Sequence, residues 1–435
     1  MRRLLVLGAG TAGTMAVNKL RPLLAEDEWD ITIVDQREEH HYQPGYLFIP
    51  FGWYRPEQVV KSRKRLITRG VTQITAEIDR VDTDANTVHL IDGTELAYDQ
   101  LIIATGTHPT PSETPGLAEP NARERGVHHF YTLEDSIALR DAMQRFEGGR
   151  LVVNLIDLPI KCPVAPLEYV LLAEAWLHER GLREDTEVIY VTPLDGPFTK
   201  PLASKELGGM FTERGIDLEA DFLLEQIDLD EQCLVSYDER VVPFDLLVTV
   251  PINRGAAFVG RSGLGDELDH VKVDKHTFLA DGLDDVFALG DAANLPTSKA
   301  GSVAHFALDV FVENFLRHVD GLEMHERFDG HANCFIESGY GKAMLLDFNY
   351  DTEPLTGTFP FPEVGPLKLL GENEANHWGK LAFRWIYWHL LLPGRPLPLH
   401  ADMSMVGKQR PPVPDPHPEA EQAPRRTSAL TEVSM

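Results

Sequence analysis

The sequence predicts an α/β fold built from two parallel-sheet units and a helical C-terminal segment. Three observations predict it. Short apolar runs alternate with helix-like stretches, glycine-rich turns close two of those runs, and an aromatic-rich amphipathic stretch lies near the C-terminus.

The elements follow in chain order. Residues 3–7 form a short apolar run read as a buried strand. The glycine-spaced turn from Gly8 to Gly13 comes next, then a helix to about Leu24 and a second strand, Ile31–Asp35. Leu101–Ala104 is a further buried strand that runs into Thr105-Gly106. Leu151–Ile156 and Val188–Val191 flank a helix expected over 165–180 and make a second βαβ-like unit. Leu246–Val250 and Val286–Leu289 are later buried strands, the last ending at Gly290-Asp291. From about Gln409 the chain is polar and Pro-rich, with five prolines among residues 411–418, and it is expected to be disordered.

Length and composition restrict the function. A chain of 435 residues calls for two domains plus an appendage. A net charge of −28 excludes the basic face that nucleic acid requires, and reads as a solvated acidic surface. The N-terminal apolar run enters a glycine turn at once, so no signal peptide is expected. No run reaches the roughly 18 apolar residues of a spanning helix. The three cysteines, Cys162, Cys233 and Cys334, form no disulfide framework and no zinc motif, which points to reduced or catalytic thiols.

Gly8, Gly10 and Gly13, with Thr11 and Ala12 between them, have the strand-before, helix-after context of a dinucleotide site. There the glycines allow a tight turn, and the helix N-terminus meets a pyrophosphate. Asp35, 22 residues after Gly13, is placed to accept from both ribose hydroxyls and disfavours a 2′-phosphate. The alternative is a glycine turn without a ligand. Ala104-Thr105-Gly106 and Gly290-Asp291 complete a set of three motifs that resembles the flavoproteins with two Rossmann-like dinucleotide-binding domains. That resemblance implies FAD and gives Asp291 a hydrogen bond to the ribityl–phosphate region. It also splits the FAD domain into 1–110 and 270–345 around a second domain, 111–269.

The second domain lacks the glycines of a nicotinamide site. No glycine occurs between Arg150 and Gly181, and Lys161-Cys162-Pro163 stands where they are expected. With Ala165-Pro166, with the segment around Cys334 and with Lys299-Ala300-Gly301, it resembles the sulfide:quinone oxidoreductases and the related flavocytochrome sulfide dehydrogenases. The resemblance covers about residues 1–400. It implies that Cys162 and Cys334 act as a redox pair beside the flavin, with sulfide as donor and membrane quinone as acceptor, and that Lys299 lies near the flavin and the quinone. Cys233 reads as structural, in a hairpin. Glu168 is either a general base for sulfide or thiol, or a first-turn helix carboxylate. His305 reads as a packed helix histidine, with proton relay as the alternative. The third cysteine of many such proteins is absent, and so is a cysteine near 42–50, so a non-covalent FAD is expected.

Between Trp378 and Trp388 lie three of the six tryptophans, and residues 365–400 carry four cations against two anions. Trp378, Leu381, Ala382, Trp385, Trp388 and Leu392 are predicted to share one helix face, ended by Pro393-Gly394. The segment, within a C-terminal region 346–408, reads as a monotopic anchor on anionic lipid, on the cytoplasmic side of the cell membrane; the other reading is a dimer or core-covering helix. A homo-oligomer is allowed. Two other functions compete: a type II NADH:quinone dehydrogenase, which needs the missing second glycine motif, and a non-catalytic flavoprotein subunit.

Overall fold

The computed structural model describes residues 1–325, 327–396 and 401–411. Its first sheet is parallel throughout, in the order Val286–Ala288, Gln100–Ile103, Arg2–Leu7, Trp29–Asp35, Thr72–Thr75. These strands read as unbroken apolar runs because both faces are covered. Leu5, Val6, Leu7, Ile31, Ile33, Ile102 and Ile103 are all buried. A second parallel sheet runs Val127–His128, Leu246–Val250, Gly149–Leu155, Thr186–Val191, Ile216–Glu219. The helix Ala165–Glu179 crosses over between its third and fourth strands.

The first helix occupies Thr11–Leu20 rather than reaching Leu24. Pro22 has no N–H to continue the ladder, and Arg21 folds back to donate to the carbonyl of Leu24. The turn before this helix is packed too tightly for side chains. A Cβ on Gly13 would sit 1.9 Å from the Gly8 carbonyl oxygen, and Gly8, at φ +95°, lies against the Ala104 carbonyl. Gly10 faces open space.

A third, mostly antiparallel sheet corrects the expected domain limits. Ala332–Gly339 turns at Tyr340-Gly341 and pairs back along Lys342–Phe348, which also pairs with Leu367–Leu369 and Glu372–Asn373. The expected division at 345/346 falls inside a strand, and Cys334 belongs to the C-terminal sheet. The reason is the hairpin, whose two strands pair along almost their full length. Lys408–Gln409 pairs with Thr356–Gly357, so the expected disordered tail does not begin at Gln409; its part from 412 onward lies outside the described residues.

The aromatic segment forms the helix Glu374–Ile386, capped by Asn373, and continues as one π-turn, Tyr387–Leu391. The extra residue of the π-turn breaks the predicted single face. Trp378 and Trp385 are 65% and 59% exposed, whereas Trp388 and Leu392 are buried against the first domain. Among the described residues no helix is long and apolar enough to cross a membrane.

Gly13→Ala is expected to lower the thermal midpoint sharply, with an overpacking cost of about 1–3 kcal/mol or more, because backbone stands where the methyl must go. Gly10→Ala is expected to melt within a degree or two of the unsubstituted protein. Thermal unfolding of the two variants side by side checks the contrast.

Candidate functional site

Three helices start at one cleft, and none of the three starts is closed by a side chain. Thr11–Leu20, Ala165–Glu179 and Gly301–Val319 have Gly10, Val164 and Ala300 at their N-caps, without a capping hydrogen bond. Gly10, Thr11, Ala12, Ala165, Ala300 and Gly301 all line the cleft, which encloses about 1170 Å³, mouth included. Free N–H groups and the positive ends of three helix dipoles thus converge on one space. By contrast, the helix Leu133–Arg145 is capped by Thr132.

The other sequence candidates fall into two sets. Ala104, Thr105, Gly106, Gly290, Asp291 and Lys299 line the cleft, as do Cys162 and Glu168. Gly8, Gly13 and Asp35 stand behind the lining and shape it. Asp35 accepts from the Ala9 N–H at 2.7 Å and the Arg37 N–H at 2.8 Å, which fixes the glycine turn and leaves each oxygen a second lone pair. The helix after Gly290-Asp291 begins only at Gly301; Gly290–Ala292 is a 3₁₀ turn. The Lys299 ammonium donates to the Asp291 and Ala293 carbonyls and so ties that turn to the helix start. Burial raises the Asp291 carboxyl above its ordinary range, against the pull of Lys299 and Lys161.

This lining fits FAD. The bare helix starts suit a pyrophosphate, the open side of Gly10 admits it, and the buried hydroxyls of Thr105 and Thr107 have no partner among the described residues.

Behind the glycine turn runs a buried polar chain without a sequence signal. The Tyr387 hydroxyl lies 2.7 Å from Thr11 Oγ1 and 2.7 Å from His40 Nε2, and His40 Nδ1 lies 3.1 Å from the Ala9 carbonyl. Burial lowers His40 to about 4, so the ring is neutral at pH 7. With Nδ1–H donating to Ala9, Nε2 accepts from Tyr387, whose oxygen accepts from Thr11. Asn18 donates to the Leu392 carbonyl at 2.6 Å.

The cysteines sit at the other side of the cleft. Cys162 has φ +52°, a left-handed conformation uncommon outside glycine. It is held there because its N–H donates to the Lys299 carbonyl at 2.7 Å, while Tyr131 donates to the Lys161 carbonyl at 3.0 Å. Cys334 is buried on the strand Ala332–Gly339 and does not line the cleft, but it shares Glu168 and Lys380 with Cys162 as charged neighbours. Burial pushes both thiols up, Cys334 to about 12. Cys233 is buried in a separate antiparallel sheet.

Glu168 is fully enclosed. Its Oε1 accepts from the Lys380 ammonium at 2.6 Å and from the Glu337 N–H at 2.8 Å. Burial raises its carboxyl, and Lys380 opposes that rise. Lys380, on the C-terminal helix, also donates to the Phe335 carbonyl at 3.0 Å and is raised chiefly by Glu168 and Cys162 against the effect of burial. Neither Lys380 nor Tyr387 is legible as a site residue in the sequence, since both sit in a segment whose pattern reads as an amphipathic surface helix. His305 is buried, and neither ring nitrogen has a hydrogen-bond partner among the described residues.

Comparison with known proteins agrees with this architecture. The pyridine nucleotide-disulphide oxidoreductase family matches residues 2–153. The mitochondrial sulfide:quinone oxidoreductase of Mus musculus is 27% identical over 397 residues, covering 90% of this chain and 86% of the mouse protein. The chain is a homologue of the sulfide:quinone oxidoreductases. The crystal structure of the sulfide:quinone oxidoreductase of Aquifex aeolicus superposes with a TM-score of 0.77 at 20% identity, covering 91% of this chain and 92% of that one, and shows the same fold. A type II NADH:quinone oxidoreductase of Staphylococcus aureus is 29% identical over only 148 residues, 34% of each chain. The homology to sulfide:quinone oxidoreductases thus runs through the second domain and the C-terminal sheet.

FAD is expected to leave the protein completely on acid precipitation, since no cysteine occurs near 42–50. Tyr387→Phe is expected to weaken FAD retention about five- to tenfold, the loss of one buried hydrogen bond. Flavin fluorescence during dilution measures both; an unchanged release rate in Tyr387→Phe would show that the Thr11–Tyr387–His40 chain plays no part.

Proposed function

We propose that the chain is an FAD-dependent sulfide:quinone oxidoreductase that works through Cys162 and Cys334. One observation carries this reading. At the helix start where a nicotinamide site would need glycines, the chain places Cys162, opening onto the same cleft as the FAD motifs and coupled to Cys334 through a shared Glu168–Lys380 pair.

In this reading the two cysteines, free thiols in this structure, form a disulfide when oxidised. Hydrosulfide attacks that disulfide. One S–S bond breaks and another forms, one cysteine becomes the persulfide, and the other leaves as a thiolate. Lys380 is placed to stabilise the thiolate, since its charge lowers both thiols. Bound FAD supplies a two-electron acceptor between the thiols and quinone. Lys299 and Asp291 would hold the turn that lines its cleft.

We infer further that the C-terminal segment rests on a lipid surface. Trp378, Ala382, Trp385 and His389, at helical spacing, are exposed. A second set of exposed apolar residues, Phe361, Val364, Met405 and Val406, comes from two loops that meet where Gly407 packs on Thr358. Such side chains favour the headgroup region, where quinone is also reached.

Sulfide is expected to bleach the flavin absorbance, a soluble quinone analogue to restore it, and NADH to do neither at a useful rate. Cys162→Ser and Cys334→Ser are each expected to lose several orders of magnitude in turnover, non-additively, because the thiols act as a unit. Cys233→Ser is expected to stay near the unsubstituted rate. Anaerobic stopped-flow spectra decide; wild-type rates in both serine variants would reject the cysteine pair. Separately, Trp378→Ser with Trp385→Ser is expected to reduce co-sedimentation with anionic lipid vesicles at least tenfold, while flavin content stays full.

A further inference from the structure

Beyond the Glu168–Lys380 pair lies a second buried carboxylate that the reaction as described leaves unused. Glu337, three residues after Cys334 on the same strand, is wholly buried. Both of its oxygens lie on His377 Nδ1, at 2.9 and 3.0 Å. Packing alone does not call for a carboxyl group and an imidazole to face each other in the interior. Two features give it a direction. His377 and Lys380 are three residues apart on the helix Glu374–Ile386, hence neighbours on one face. The inner one holds Glu168 in the cleft and the outer one holds Glu337. The two carboxylates are further linked because the backbone N–H of Glu337 is itself a donor to Glu168 Oε1 at 2.8 Å. At the outer end His377 is half-buried, with its ring edge-on to Trp53 and Trp378, both exposed.

We propose that Glu337 and His377 form the proton exit of the cysteine site, carrying to the surface the proton that a thiol or persulfide gives up to Glu168. The inference rests on the sulfide-oxidising reading and adds the route that its chemistry requires. The step balances as a proton transfer alone. The S–H bond breaks and the O–H bond of Glu168 forms. The Lys380 cation, released from a neutral Glu168, pairs with the new thiolate. The proton then passes to Glu337, to His377 and to solvent, and no oxidant is needed. Glu168 stays the group next to the thiols; Glu337 and His377 are positioning residues that act through it.

The charges around Glu337 suit a carrier. Glu168 faces it from the helix Ala165–Glu179, Lys380 and His377 from the C-terminal helix, and Glu372 from the strand beyond Lys342–Phe348, where Arg214 holds it at 2.8 Å. Burial first and the Glu168 charge second push Glu337 up to about 8, against Lys380. Burial keeps His377 below its usual value, so it is neutral near pH 7. An acid with a value close to the working pH both takes and releases a proton readily.

Glu337→Gln keeps the shape and removes the titration. The sulfide-driven loss of flavin absorbance is compared in the two proteins across pH 6–10. Glu337 accepts a proton only as carboxylate, so the unsubstituted rate rises as pH climbs through about 8. The ionisation of sulfide is common to both proteins and cancels in the ratio of rates. In Glu337→Gln that rise is expected to vanish, with rates roughly 10- to 100-fold lower above it. Glu337→Asp is expected to restore part of the rise, and His377→Asn to flatten it. A ratio constant with pH would overturn the proposal. An infrared titration of the full protein is independent of turnover: a protonated-carboxyl band that disappears near pH 8 and is missing from Glu337→Gln is expected, and its absence in the unsubstituted protein would also overturn the exit. If sulfide fails to bleach even the unsubstituted protein, the reading of the enzyme fails, and the infrared titration still decides whether Glu337 exchanges a proton near neutral pH.

Discussion

Three helix starts without caps, turned toward one cleft, are the constraint on which the rest of this molecule depends. None has a side-chain cap, and each brings the positive end of a dipole to the same place. Such a concentration of unsatisfied donors is unfavourable until an anionic ligand fills it. Much of the surrounding structure keeps the three termini in register. Asp35 holds the glycine turn, Lys299 ties the Gly290-Asp291 turn to the third helix, and the Cys162 N–H joins the second helix to the Lys299 strand segment. The two Rossmann-like units are thus bonded to each other through the backbone at the cleft itself.

The same geometry accounts for the change of chemistry in the second unit. A nucleotide-binding turn needs glycine so that a phosphate can approach the helix start. Once Cys162, Pro163 and Val164 occupy that loop, the helix dipole points at a thiol instead. A cysteine at a helix N-terminus ordinarily ionises easily. Here burial and Glu168 oppose that tendency, and the thiol is raised. The protonation of this thiol is therefore set by the charge balance between Glu168 and Lys380 as well as by the helix start.

What the sequence makes legible is what is local. The glycine spacing, the apolar strands, the helix after the glycine turn and the missing second glycine motif can each be read within a window of about thirty residues. Cys162 and Cys334 become a pair only through resemblance, because 172 positions separate them. Lys380, Glu337 and Tyr387 escape for a physical reason. Each sits in a segment whose pattern is that of something simpler: a basic position on an amphipathic helix, a charge in a strand, an aromatic in a lipid-facing run. The π-turn at Tyr387–Leu391 adds one residue per turn, which no periodicity scan anticipates, and it takes Trp388 off the face that Trp378 and Trp385 share. Trp378 and Trp385, before the turn, keep the exposed positions that the helical spacing predicts.

The bond between Thr11 and Tyr387 spans 376 positions of the chain. Loop closure over that distance is entropically demanding, and contacts so remote in sequence form late. The glycine turn is therefore finished by a residue synthesised 376 positions after it. A nascent chain has its glycine loop long before it has the tyrosine that steadies the loop, so the cofactor meets a completed cradle only once the segment around Tyr387 has been made. Loading with flavin and docking of the aromatic segment then belong to one closing event in the life of the molecule, and a chain cut short by even sixty residues would lose both together.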